Sequence, residues 1–197
     1  MEGNIIIDES TGKRYKLVEV KEESKKKKVA FVIGHTSKDK GAYSNFLKIS
    51  EWDMFKNFSE GFLQEVGDIF FHNPNISSYT KRQEETAAKT KDYEIVFELH
   101  FNAASPSAEG CEALYYDGNE KAKALCNKFC SLMESKMQMK NRGAKPLVIG
   151  ENGYGFVFEQ KPTAIILEPF FSSNPSDCDK FSPSIYKSVI VELIENL

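Results

Sequence analysis

The chain has 197 residues, 41% hydrophobic and 28% charged, with a formal net charge of −3. That length supports one domain with a sizeable core and at most a small appendage, and so mild a charge excludes nucleic-acid binding as the main activity. The longest apolar runs are of strand length, too short to insert in a membrane, and Met1-Glu2-Gly3-Asn4 does not open a signal peptide, so the chain is expected to be made in the cytoplasm or to represent a processed form.

Residues 2–21 read as a β-hairpin. Asn4-Ile5-Ile6-Ile7 and Tyr15-Lys16-Leu17-Val18-Glu19-Val20 flank a bend with Gly12. The lysines at 25–28 form a solvated linker, with a tether to an anionic surface as the alternative. Residues 1–27 are therefore an extension and 28–197 the main domain. Ala30-Phe31-Val32-Ile33-Gly34-His35 is a short buried strand that ends on a glycine and delivers a histidine to a polar loop, residues 36–45. Ser50 is the N-cap of a helix starting near Glu51. Phe55, Phe58, Phe62 and Val66 are its core stripe, and Gly67 ends it.

Asp68-Ile69-Phe70-Phe71 is the next strand, and it leaves His72 in a surface loop. Residues 78–90 are helical but carry little apolar surface, which places them on the outside. A strand at Ile95–Leu99 delivers His100, and Cys111–Tyr116 is another strand. The helix Glu120–Met137 buries Ala122, Leu125, Cys126, Phe129 and Met133, and Asn141-Arg142-Gly143 closes it. Phe156-Val157-Phe158 and residues 164–167 read as strands. Asn174-Pro175 starts a short helix, and Ser182-Pro183 starts the last one. The alternation predicts an α/β fold: a twisted, mostly parallel or mixed sheet flanked by helices on both faces, with the short N-terminal β-hairpin as an extension. Sites in such sheets gather where strand ends meet loops.

The four cysteines, Cys111, Cys126, Cys130 and Cys178, form no C-x-x-C pair. They read as free thiols rather than as a disulfide framework or a zinc site, since no histidine lies near them in sequence.

The chain has three histidines, and two of them, His35 and His100, terminate apolar strands. Each alone is ordinarily a satisfied polar residue; two in equivalent places point to a shared metal site. A hydrolytic zinc takes three His or Asp/Glu ligands and keeps a position for water. Glu51, in the first turn of its helix, is the best carboxylate, with Asp39 and Asp53 behind it. Spacing alone leaves open whether Glu51 is a ligand or only favours the helix dipole. Glu168 ends a strand that is almost wholly apolar. An unpartnered carboxylate is costly there, so it serves as a general base or pairs with Arg142 or Lys145.

These residues are similar to the zinc-dependent N-acetylmuramoyl-L-alanine amidases of the amidase-3 type, over residues 28–197. Gly34-His35 through Lys40-Gly41-Ala42 resembles that family's Gly-His followed by Asp-x-Gly-Ala. Glu98-Leu99-His100-Phe101-Asn102-Ala103 resembles its Ser-Ile-His-x-Asn-Ala. Gly110-Cys111-Glu112-Ala113-Leu114-Tyr115-Tyr116 resembles its Gly-x-Glu-x-Tyr strand, and Leu167-Glu168-Pro169-Phe170-Phe171-Ser172-Ser173-Asn174 its Val-Glu-x-Gly-Phe-x-Ser-Asn. Asn141-Arg142-Gly143 completes the series. The chain departs from the pattern at Thr36-Ser37-Lys38, at Glu98 in place of a small or hydroxyl residue, and at Pro169-Phe170.

The resemblance implies Zn2+ held by His35, Glu51 and His100, with Glu168 as the catalytic proton carrier. It implies cleavage of the amide between N-acetylmuramic acid and L-alanine in peptidoglycan, by a monomer that acts on the cell wall after lysis or non-standard export. A phage or prophage endolysin and a sporulation enzyme both fit. The alternatives are a zinc peptidase or deacylase acting on another amide, and an inactive peptidoglycan-binding relative.

Overall fold

Five consecutive buried residues, Val29–Ile33, have no face to offer water, so the segment belongs inside a sheet with both faces covered. The computed structural model describes residues 5–7, 14–16, 28–195 and 197. In it β1 (Ile5–Ile7) pairs antiparallel with β2 (Arg14–Lys16). The bend at 9–13, the expected extension of the second strand over 17–20, and the lysines at 25–27 lie outside the described residues.

The main unit follows in chain order. β3 is Val29–Ile33; β4 (Tyr43–Ser44) and β5 (Ile49–Ser50) form a two-stranded ribbon; α1 is Glu51–Phe58, continued by a π-helical turn over Ser59–Leu63. Then come β6 (Asp68–Phe71), α2 (Tyr79–Thr90), β7 (Ile95–Leu99), β8 (Cys111–Tyr116) and α3 (Glu120–Met137). β9 (Asn141–Leu147), α4 (Tyr154–Glu159), β10 (Thr163–Glu168), α5 (Pro175–Lys180) and α6 (Pro183–Glu195) complete it. Six strands form the main sheet in the order β6-β3-β7-β10-β8-β9. The first four run parallel, β8 runs antiparallel to β10, and β9 is parallel to β8, so the sheet is mixed.

Both faces are covered. On one, Phe31, Phe97 and Ile165 pack with Phe55, Phe129, Met133, Tyr186 and Ile190 of α1, α3 and α6. On the other, Ala30, Val32, Val96 and Ile166 pack with Phe156 and Val157 of α4. Among the described residues no helix is long and apolar enough to cross a membrane. All four cysteines are free and buried.

Four expectations are corrected. Phe156-Val157-Phe158 is helical, because β9 already occupies the sheet edge beside β8; α4 instead lays Phe156 and Val157 over the sheet face. Asn141-Arg142-Gly143 opens β9 rather than closing α3, which ends one turn earlier at Gln138 in the left-handed conformation. Gly143 lies where the β8–β9 register shifts, at φ 78, so its glycine marks a bulge. The outer position expected for α2 is half right. It buries a polar face, with Thr90 Oγ1 donating to Gln160 Oε1 at 2.7 Å. His72, expected on the surface, is buried between β7 and α2.

Candidate metal centre and groove

Strand register brings the chemistry to one place. Ile33 pairs with Leu99, and Leu99 pairs with Leu167. His35, His100 and Glu168 lie one or two residues beyond those partners, so three adjacent parallel strands deliver them to the same sheet edge. The backbone stays tied there: Gly34 N–H donates to Leu99 O and His100 N–H to Leu167 O, both at 3.1 Å. His35 has φ 65, a left-handed conformation that costs an ordinary residue of order 1 kcal/mol or more and turns its chain off the strand direction.

Glu51 comes from the other side. Ser50 caps α1, its side chain accepting from Asp53 N, and this sets the first helical residue over the strand ends. The Glu51 carboxylate is buried. It accepts from Ala42 N–H at 3.2 Å and from Phe101 N–H at 3.1 Å. His100 Nδ1 lies 2.7 Å from Oε1 and His35 Nε2 3.0 Å from Oε2. One ligand atom from each of His35, Glu51 and His100 lies within 4.8 Å of the others. Burial by itself would raise the Glu51 pKa, but the hydrogen bonds and charges of His100 and His35 outweigh it and hold it at about 2. Two imidazole nitrogens and an ionised carboxylate form a donor set that suits zinc.

Two glycines make room. A Cβ on Gly34 would overlap the His100 ring, and one on Gly41 would strike His35 and Glu51. Only a residue without a side chain lets the backbone pass so close to these three groups. Asp39 borders the groove. Asp53 is turned away, bound to Lys40 Nζ at 2.8 Å. Neither belongs to the converging set among the described residues.

Glu168, on β10 beside His100, has no salt bridge to Arg142 or Lys145. Arg142 Nε instead donates to Glu112 Oε2 at 2.7 Å. Glu168 Oε2 is buried without a hydrogen-bond partner among the described residues. Burial raises its pKa; the pull of His100 opposes this, and the charges of Glu51, Glu112 and Glu98 add to the rise, leaving it at about 8. A carboxyl in this state can take up and release a proton near neutral pH.

The strand ends open into a groove of about 820 Å³ across the sheet face. Tyr79 and Arg82 of α2 line it together with residues of the Gly150–Gly155 segment. Asn102 and Glu112 line it too, joined by a 2.8 Å bond from Asn102 Nδ2 to Glu112 Oε1. Sequence reasoning missed this lining, because α2 reads as a plain polar outer helix and residues 150–155 carry no signal. It also missed His72, whose turn-forming neighbours hid the Thr86 hydroxyl that receives it from fourteen residues away.

The family model described as N-acetylmuramoyl-L-alanine amidase matches residues 29–196. No curated protein sequence matches the chain. Among solved structures it is similar to the catalytic domain of the CD27L endolysin targeting Clostridia difficile, with 22% identity, 86% of this chain and 97% of that chain covered, and a TM-score of 0.68. It is also similar to an N-acetylmuramoyl-L-alanine amidase from Clostridium difficile 630, at 19% identity, 86% and 94% coverage and TM-score 0.65. AmiC2 of Nostoc punctiforme, an enzyme of the same description, gives 18%, 86% and 96%, and 0.64. At these identities the likeness is one of fold.

Proposed function

This chain belongs to the N-acetylmuramoyl-L-alanine amidase family, and from that premise we propose that His35, Glu51 and His100 hold a zinc ion and that Glu168 carries the proton of the reaction. The family's activity is hydrolysis of the amide between N-acetylmuramic acid and L-alanine in peptidoglycan, a cell-wall lytic reaction. The observation that carries the site reading is the convergence of two imidazoles and one carboxylate within 4.8 Å, beside a carboxyl whose Oε2 has no partner among the described residues.

Zinc bound there supplies Lewis acidity at the scissile carbonyl and to the attacking water. The chain does the rest. Glu51, held anionic by the Ala42 and Phe101 N–H groups and by the imidazoles beside it, keeps His35 and His100 aimed at one point. Glu168 Oε2 takes the proton of the attacking water and returns it to the departing amine nitrogen, so that the amine leaves neutral. The groove aligns the amide over the strand ends. Residues 28–197 are the catalytic domain, 1–27 an appendage. The protein works as a monomer on cell-wall peptidoglycan, in the manner of an endolysin.

Digestion of purified peptidoglycan tests this. We expect new free L-alanine amino groups with muramic acid intact, in proportion to bound zinc. Release of a different amine points to a zinc peptidase or deacylase; binding without turnover points to an inactive relative.

A further inference from the structure

Behind His100 lies a buried carboxylate–imidazole pair that the proton transfer described above does not use. Glu98, on β7, and His72, just past β6, are 4% and 3% exposed. Glu98 Oε1 lies 2.7 Å from His72 Nε2, and Glu98 Oε2 lies 3.4 Å from His100 Nε2. His72 is held from its far side, where Nδ1 sits 2.9 Å from Thr86 Oγ1 on α2. The Thr86 hydroxyl donates to Arg82 O at 3.0 Å, so its oxygen is free to accept and His72 Nδ1 is the donor. One proton then lies between His72 Nε2 and Glu98 Oε1, and Glu98 Oε2 is left facing His100.

The His100 ring is thus confined on three sides. Gly34 lies flat against it, Glu51 meets Nδ1, and Glu98 faces Nε2. A histidine that binds a metal through one nitrogen generally offers the other N–H to a carboxylate, which fixes its tautomer and ring orientation. We propose that Glu98 is the positioning residue of His100, keeping the proton on Nε2 so that Nδ1 faces the cation site, with His72 and Thr86 bracing Glu98 from α2. The inference rests on the reading of His100 as a ligand.

The test is zinc affinity of the full chain, measured by competition with a chelator, together with the imidazole ¹⁵N resonances of His100 in the zinc-loaded protein. Glu98→Ala is expected to weaken zinc binding roughly 10- to 100-fold and to abolish the protected His100 Nε2–H signal. Glu98→Gln, which keeps an acceptor oxygen, is expected to restore most of both. Glu98→Ala leaves His72 Nε2 without its partner in the interior and risks misfolding, so the double variant Glu98→Leu with His72→Phe removes both polar groups together. It is expected to fold and still bind zinc roughly 10- to 100-fold more weakly. Wild-type affinity in the double variant, or a wild-type His100 protonated on Nδ1, overturns the proposal while leaving the ligand set standing. A wild-type chain that takes up no zinc removes the ligand set and this inference with it.

Discussion

Two carboxylates meet at one sheet edge, and their surroundings drive them in opposite directions. In the metal-free chain Glu51 is buried against two donating backbone N–H groups and two imidazoles. Its pKa falls to about 2 despite the burial. Glu168 is on the strand beside His100, its Oε2 has no donor among the described residues, and its pKa rises to about 8. Burial acts on both; hydrogen bonding decides the sign. A metal ligand has to stay anionic and a proton carrier has to hold a proton part of the time. The proposed roles ask for this pair of opposite shifts, which the site produces by supplying donors to one carboxylate and withholding them from the other.

The widest break in that contrast comes from Glu51→Ala. It should abolish zinc retention and lower wall-lytic activity by about 10³-fold or more, read by metal analysis and by turbidity clearing. Glu168→Gln should separate the two roles: zinc content stays at the wild-type level and activity falls by about 10²- to 10⁴-fold. Near-normal turnover there would remove Glu168 from the reaction. Gly34→Ala should push a methyl group into the His100 ring, costing about 1–3 kcal/mol of stability in a denaturant titration and weakening zinc binding with it.

The pH behaviour of the metal-free chain should show both signs at once. The Glu51 contribution to stability is fully present above its ordinary value of 4.5 and is lost as pH falls towards about 2. The Glu168 contribution is fully present below 4.5 and is lost as pH rises through about 8. Urea midpoints across that upper window should therefore decline in the wild type and flatten in Glu168→Gln. A bound cation favours the ionised carboxylate, so the rising limb of activity in the zinc-loaded enzyme should lie below pH 8. The smallest effect is expected from Asp53→Asn, which breaks an exposed pair with Lys40. Stability should move by less than about 1 kcal/mol and zinc content should not change.

Much of the fold was legible in the chain because its signals are local. Val29–Ile33, Ile95–Leu99 and the last apolar strand announce themselves by unbroken burial-type runs, and Ser50, Asn119 and Asn174 cap their helices through atoms three residues away. The errors fell where a local pattern has two solutions. A run as short as Phe156-Val157-Phe158 suits a strand or one face of a helical turn, and only the occupied sheet edge decides between them. Asn141-Arg142-Gly143 has the composition of a stop, yet its glycine serves a bulge in a strand pair that sequence cannot see.

The same division runs through the site. His35, His100 and Glu168 could be picked out because each ends an apolar run, and parallel register then carries strand ends to a common edge whatever the details. Glu51 is the leading carboxylate by sequence, but spacing does not separate a ligand from a helix-dipole residue; in the structure α1 sets it among Ala42, Phe101 and both imidazoles. Arg142 reads from the sequence as a partner for Glu168, and β8–β9 pairing gives it to Glu112 instead. Glu98 and His72 showed as a departure and a loop residue, and folding joined them behind His100. Residue type and apolar runs alone mark which residues could do chemistry and which strands would deliver them. The tertiary structure alone decided their partners, because hydrogen bonds and desolvation act over a few ångströms between groups that lie tens of residues apart in the chain.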